Sequence, residues 1–285
     1  MKNRIIQSIL LLTAIFAIGC GSNNRNAGNK TFYVTIAPLK SIIEDITCND
    51  FEVNVLVPNG ASPETFEPTA KQIAALNDAQ MIFAIGLIDF ERGLTSKLDN
   101  RSAIVDLSQG IDILAGSCSH VHHNGHKHGI DPHIWTSPRA LKQIAANAYT
   151  AVAQQYPDST KYHEAYTTLL SRLDSLDSYV QNRLTQAGTT TFMIYHPAYT
   201  YYANDYGLQQ IAIEHEGKEP TPRQLASLID IARRNSVKYI LYQPQYSKDK
   251  VDGIAAEIGA KAAMTDPLCD NIIQGIKELT DLITE

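Results

Sequence analysis

The chain has 285 residues, 24 basic against 30 acidic, and a formal charge of −6. An exterior of that sign repels phosphate backbones and mildly favours cations, which makes nucleic acid a poor partner. Its four cysteines include no C-x-x-C or other close pair, which argues against a cysteine-based zinc knuckle.

At the N-terminus Lys2 and Arg4 precede the uncharged run Ile5 to Ile18, followed by Gly19 and Cys20. About 14 residues suit the apolar part of a secretory signal and fall short of the ~17 needed to span a bilayer. Residues 1–19 therefore read as a signal peptide. The A-I-G-C ending resembles a bacterial lipobox, which implies that Cys20 becomes the first mature residue and carries lipid. Residues 20–30 then form a lipidated tether, polar and glycine-rich, with too little apolar surface to fold. Cleavage would remove Lys2 and Arg4 but no acid, leaving 22 basic against 30 acidic residues and a charge of −8. Cys48, Cys118 and Cys269 would remain, an odd number whose pairing the sequence leaves open.

Beyond the tether, short apolar runs at 32–36, 53–57, 81–85 and 103–107 read as strands separated by amphipathic helices. The pattern returns at 191–195, 208–213, 239–242 and 261–264. Such alternation predicts two α/β lobes, each (βα)4-like with a parallel sheet, over 31–157 and 189–285. Helix starts are marked by Ser137 before Pro138, Thr221 before Pro222, and Ser247, with Gly259 closing the helix after Ser247. Between the lobes, in 158–188, apolar residues recur at Tyr162, Tyr166, Leu169, Leu173, Leu176, Val180 and Leu184. Spacings of three and four predict one helix from Ser159 to Ala187, about 43 Å long at ~1.5 Å per residue. It would act as a backbone crossing both lobes.

Six of the nine histidines lie between His120 and His133. His120, His122, His123, His126 and His128, interleaved with glycine, asparagine and lysine, cannot pack a core and read as a metal-attracting loop over 118–129. Glu64, His133, His196 and Asp266 each fall just beyond a strand or loop end. In open α/β sheets ligands bind outside the carboxyl ends of the strands, so two residues from each lobe would meet in the cleft between them. Taken singly, Glu64 reads equally well as a surface acid, and His196 and Asp266 as turn residues.

Four segments carry a family resemblance: S-P-E-T-F-E-P-T from Ser62, D-P-H-I-W-T-S-P from Asp131, Y-H-P-A-Y from Tyr195 and D-P-L from Asp266. The chain resembles the zinc- and manganese-type metal solute-binding lipoproteins of ABC transporters, most of all the zinc branch, over residues 31–285. The resemblance implies two βα lobes joined by a long helix, a metal in the interlobe cleft, and delivery to a membrane permease driven by an ATPase. It also implies a monomer held at the periplasmic or outer face of a membrane through Cys20. His133 and His196 become metal ligands by their motifs, and Asp266 is similar to a carboxylate that completes the set in related members, with water as the alternative in zinc-binding ones. Glu64 departs from the pattern, which usually has histidine there. Carboxylate in that place suits Mn2+ or Fe2+ as well as Zn2+, while the histidine loop favours Zn2+.

Three ligands plus water would also serve a zinc hydrolase, but no H-E-x-x-H or G-x-S-x-G accompanies them. An added adhesin role stays open. The segment from Ile213 to Thr221, with His215, Glu216 and Glu219, reads either as a ligand-bearing loop or as a solvated turn. Lys248, Asp249, Lys250 and Asp252 read as a solvated helix start, and Tyr199, Tyr201, Tyr202 and Tyr206 as packing beside the cleft.

Overall fold

The computed structural model describes residues 31–116, 129–214 and 218–285. The signal peptide, the tether with Cys20, Cys118 and His120 to His128 lie outside the described residues, as do His215 and Glu216.

The first lobe carries β1 (Thr31–Val34), α1 (Pro38–Ile46), β2 (Glu52–Val55), α2 (Ala70–Asn77), β3 (Met81–Ala84), α3 (Asp89–Lys97) and β4 (Ile104–Asp106). Then α4 (Pro138–Gln155) leads into α5 (Thr160–Ala187). The second lobe holds β5 (Thr191–Ile194), α6 (Thr200–Asp205), β6 (Gln209–Ala212), α7 (Pro222–Arg234), β7 (Tyr239–Tyr242), α8 (Lys248–Ile258), β8 (Lys261–Met264) and α9 (Ile272–Thr284). Both sheets are wholly parallel, in the orders β2-β1-β3-β4 and β6-β5-β7-β8. Each order reverses beside its first strand, and such a reversal opens a crevice at the carboxyl ends of the strands.

Most of the strands stop one or two residues short of the apolar runs that announced them. Pairing persists past the strand ends, with Val57 N donating to Thr35 O at 3.1 Å and Tyr195 N to Leu241 O at 2.8 Å. Ile36, Val57, Ile85 and Leu107 stay buried where the chain leaves the sheet. Apolar patterning reports burial, and burial here outlasts the ladder.

Three of the four helix signals act as their residues suggest. Ser137 Oγ accepts from Arg139 N, and Thr221 forms a full capping box with Gln224. Gly259 closes α8 at φ +82°, the left-handed conformation glycine adopts without strain. Ser247 occupies the N-cap of α8 but makes no side-chain cap bond. The charges after it form a solvated first turn, with Lys248 paired to Asp252 at 2.6 Å and Lys250 paired to Glu219.

The interlobe helix α5 runs 28 residues without interruption. It buries Tyr162, Leu169, Leu173, Leu176, Val180 and Leu184, while Tyr166 is only half-buried. This stripe packs on α1 and α4 of the first lobe and α9 of the second. At ~1.5–3 kcal/mol per buried apolar side chain, burial of this face contributes on the order of 10 kcal/mol. One hydrophobic core runs through both lobes, from Phe32 and Phe83 through Trp135 and Leu173 to Tyr202, Leu241 and Ile276. A smaller core on Met193, Ile211, Ile240 and Val251 covers the other face of the second sheet. Among the described residues no helix is long and apolar enough to cross a membrane.

Candidate metal centre

Three polypeptide segments deliver the site. Glu64 sits in the connection between β2 and α2, on a tight turn closed by Thr65 N donating to Ser62 O at 3.3 Å. Phe66, two residues on, meets the ring of Phe90 edge-on at 5.1 Å, and the capping box of Thr69 and Gln72 fixes the far end. His133 precedes a single helical turn that leads to α4, and His196 follows β5.

The two imidazoles are buried, 6% and 5% exposed, although histidine usually keeps contact with water. Glu64 Oε1 lies 3.2 Å from His196 Nε2 and 3.9 Å from His133 Nε2. One ligand atom from each of the three residues falls within 4.8 Å of the others. A tetrahedral zinc ion with N and O ligands at ~2.0–2.1 Å separates them by about 3.3 Å, close to both Glu64 distances, so the triad is within reach of such an ion.

The opposite nitrogen of each ring is also held. His133 Nδ1 lies 2.8 Å from Asp131 Oδ1, and His196 Nδ1 lies 3.3 Å from Glu214 Oε1. A carboxylate behind each imidazole fixes the tautomer with Nδ1 as donor and leaves Nε2 free to coordinate. Asp131 is itself pinned, since its carboxylate also accepts from His133 N at 2.8 Å and its carbonyl accepts from Tyr201 Oη at 2.8 Å. Both supporting carboxylates are buried.

These charges set the protonation of the metal-free site. Burial alone would strip the proton from His196, but hydrogen bonds to Glu214 and Glu64, with their charges, outweigh it and raise the imidazole to about 9. Burial likewise opposes ionisation of Asp131, yet the charge and hydrogen bonds of His133 hold that carboxyl below its ordinary value. Glu64, Asp131 and Glu214 together present three carboxylates, more than enough to balance a dication.

A cavity of about 40 Å³ opens onto the triad, lined also by Ile88, Trp135, Gln243 and Tyr246. That volume admits an ion together with solvent. Its walls are tied down: Trp135 Nε1 donates to Pro267 O across the lobes at 2.7 Å. Ile88 ends a turn whose Ile85, Gly86 and Ile88 amides all donate to the carboxylate of Glu91, at 2.7–3.3 Å. Burial pushes that carboxyl up to about 7.

Of the four residues expected in the cleft, the structure brings together Glu64, His133 and His196 but not Asp266. The Asp266 carboxylate accepts from Leu268 N at 2.9 Å. It lines a neighbouring cavity of about 290 Å³ with Val57, Asn59, Cys269 and Asp270. Burial, and more weakly Asp270, holds its carboxyl above the ordinary range. Asp131, Glu214 and Gln243 escaped the reading of the sequence. Asp131 stood inside the D-P-H motif, and Glu214 just before the His215–Glu216 pair that drew attention instead. Of the tyrosines, Tyr199, Tyr201 and Tyr202 are buried, and Tyr201 reaches the site through Asp131.

A solved structure of ZnuA superposes with a TM-score of 0.81 at 33% identity, covering 89% of this chain and 97% of that one. The high-affinity zinc uptake system protein ZnuA of Bacillus subtilis is 30% identical over 280 residues, 93% of this chain and 87% of that protein. The zinc-binding protein AdcA of Streptococcus pyogenes serotype M3 is 27% identical over 294 residues, covering 94% of this chain and 56% of that protein. The chain thus spans about half the length of the streptococcal relatives it matches. Residues 33–283 match the family described as zinc-uptake complex component A, periplasmic, and the chain belongs to that family.

Proposed function

We propose that this chain is the extracytoplasmic binding component of a metal ABC transporter, capturing Zn2+ as cargo and handing it to a membrane permease powered by an ATPase. The observation that carries this reading is the triad of half-buried Glu64 with buried His133 and His196, both histidines backed by carboxylates. The printed names of its relatives, zinc-binding and zinc-uptake proteins, support the choice of ion. The three residues serve as ligands in this reading. Asp266, expected as a fourth, is engaged elsewhere in this conformation. A binding protein is favoured over a hydrolase because no H-E-x-x-H or G-x-S-x-G sequence accompanies the three ligands.

The histidine loop over 118–129 collects zinc weakly and passes it to the triad. Residues 1–19 act as the signal peptide, and Cys20 carries the lipid that anchors a monomer to the membrane. Mn2+ or Fe2+ is the second reading of the cargo, favoured by one observation: carboxylate at Glu64 makes the set harder than three imidazoles. Calorimetric competition between zinc and manganese, on the wild type and Glu64→His, tests both. Tight zinc and weak manganese binding by the wild type supports zinc uptake. Manganese preference in the wild type, lost in Glu64→His, would assign the cargo to manganese.

A further inference from the structure

Either side of residues 117–128 the chain forms a short antiparallel pair, bridged at Ala115 and Ile130. Gly116 N donates to Gly129 O at 2.6 Å, and Asp131 N donates to Leu114 O at 3.0 Å. In such a ladder Leu114 and Asp131 face each other as a hydrogen-bonded pair, which exchanges two bonds, so Leu114 N is due to donate back to Asp131 O. Instead the phenol of Tyr201, on α6 of the second lobe, stands in that rung. Tyr201 Oη accepts from Leu114 N at 3.1 Å and donates to Asp131 O at 2.8 Å. Tyr201 and Asp131 are both buried. A hydroxyl both accepts and donates, so it passes the ladder bond on without leaving a buried backbone group unpaired.

The rung matters because of what Asp131 does next: its carboxylate accepts from both N and Nδ1 of His133 at 2.8 Å. The residue before Tyr201 grips that carboxylate as well, through the Thr200 hydroxyl. Thr200 is itself held by Gln210 of β6, whose Nε2 donates to Thr200 Oγ1 at 3.0 Å while its Oε1 accepts from Tyr199 N at 2.9 Å. Consecutive residues of the second lobe thus hold Asp131 by its carbonyl and its side chain. We propose that Tyr201 is a positioning residue for metal capture: its hydroxyl, inserted between Leu114 and Asp131, sets the place of the carboxylate behind His133 and so orients a ligand of the opposite lobe. Without the hydroxyl, the rung either closes, moving Asp131 toward Leu114, or leaves two buried backbone groups unpaired, and both loosen the bond to His133 Nδ1. The single stretch 196–201 then bears one imidazole and orients the other. The inference rests on the metal-capture reading and adds a residue that the triad itself does not name.

The test uses the whole chain and zinc, with affinity read by chelator competition and stability by denaturant unfolding. Tyr201→Phe keeps the ring in the core and removes the hydroxyl. Tyr202→Phe is the control for stability alone, because it removes a buried hydroxyl from the same helix, one bonded to Thr280 Oγ1 at 2.9 Å. Tyr201→Phe should bind zinc about 10-fold more weakly, the lower end of the range for outer-shell partners, since it acts one residue further out. Tyr202→Phe should unfold more readily than the wild type and bind zinc as the wild type does. In an Asp131→Ala background the loss caused by Tyr201→Phe should shrink to within about 2-fold, because the hydroxyl acts through that carboxylate. Wild-type zinc affinity in Tyr201→Phe would overturn the inference. Equal weakening by Tyr201→Phe and Tyr202→Phe would do so too, as would an undiminished loss in the Asp131→Ala background. Failure of the wild type to bind zinc would instead overturn the parent reading, and this one with it.

Discussion

In the metal-free protein His196 holds its Nε2 proton against Glu64 Oε1, 3.2 Å away, and its Nδ1 proton against Glu214 Oε1, 3.3 Å away. A metal ion must take the place of the first proton. With the imidazole raised to about 9, only about one molecule in 100 is neutral at pH 7, so zinc affinity there should lie about 100-fold, or ~2.7 kcal/mol, below its limit at high pH. Each unit of pH below 7 should cost a further factor of about 10. Calorimetry in buffers of different ionisation heat counts the protons directly. About one proton should leave per zinc bound at pH 7, falling toward zero above pH 9. In Glu214→Gln the anion behind the ring is gone, so the release at pH 7 should shrink well below one.

The metal-free fold answers pH with the opposite sign. A histidine whose folded value is raised from 6.5 to about 9 stabilises the fold fully below about pH 6.5, and that contribution is lost as pH rises through 9. The metal-free protein should therefore lose on the order of 3 kcal/mol between these limits, while the melting-temperature gain from zinc grows. Proton release near zero at pH 7, with zinc affinity flat from pH 7 to 9, would refute the reasoning about Glu64 and Glu214.

Replacing Asp131 by Asn leaves His133 without an anion behind it, and zinc affinity measured by chelator competition should fall about 10–100-fold. Deleting His120 to His128 should remove weak zinc equivalents in a calorimetric titration and keep one tight site, because the triad is built from residues outside the deleted segment. Glu91→Ala orphans three amides, those of Ile85 and Ile88 buried and that of Gly86 half-buried, and should cost about 3 kcal/mol or more in denaturant unfolding. Trp135→Phe removes the bond to Pro267 O, and a loss of about 1 kcal/mol with little change in zinc affinity is expected from unfolding and competition together.

Much of this architecture was legible because it rests on periodicity. Tyr162 to Leu184 fixed a single long helix, and the alternation of short apolar runs with helices fixed two parallel sheets. His133 and His196 were legible because each lies beside proline just past an element end, where α/β folds place ligands. The partners behind the imidazoles were harder to see. Asp131 is two residues from His133, but Glu214 and Gln243 are separated from His196 by 18 and 47 positions. Only the order β6-β5-β7 brings them to its side. Asp266 shows the converse: a carboxylate past a strand end is placed near the cleft, yet its own Asx turn onto Leu268 N competes for the oxygen, and a local bond of that kind leaves no trace in spacing.

The manner of metal exchange follows from how the lobes are joined. The core is continuous from Phe32 to Ile276 through α5, and Trp135–Pro267 and Tyr201–Asp131 bonds cross between the lobes beside the site. Wide hinge opening would expose that core and break those bonds together, at a cost of many kcal/mol. Moving Glu64 is far cheaper. It stands on a loop between β2 and α2, is the most exposed of the three residues at 18%, and belongs to the lobe opposite His196. Withdrawal of Glu64 would remove one ligand and one negative charge while both histidines stay held by Asp131 and Glu214. Under the proposed function, the protein half of metal release would be a local movement of the loop carrying Glu64, with the long helix keeping the two lobes, and the two imidazoles, in register.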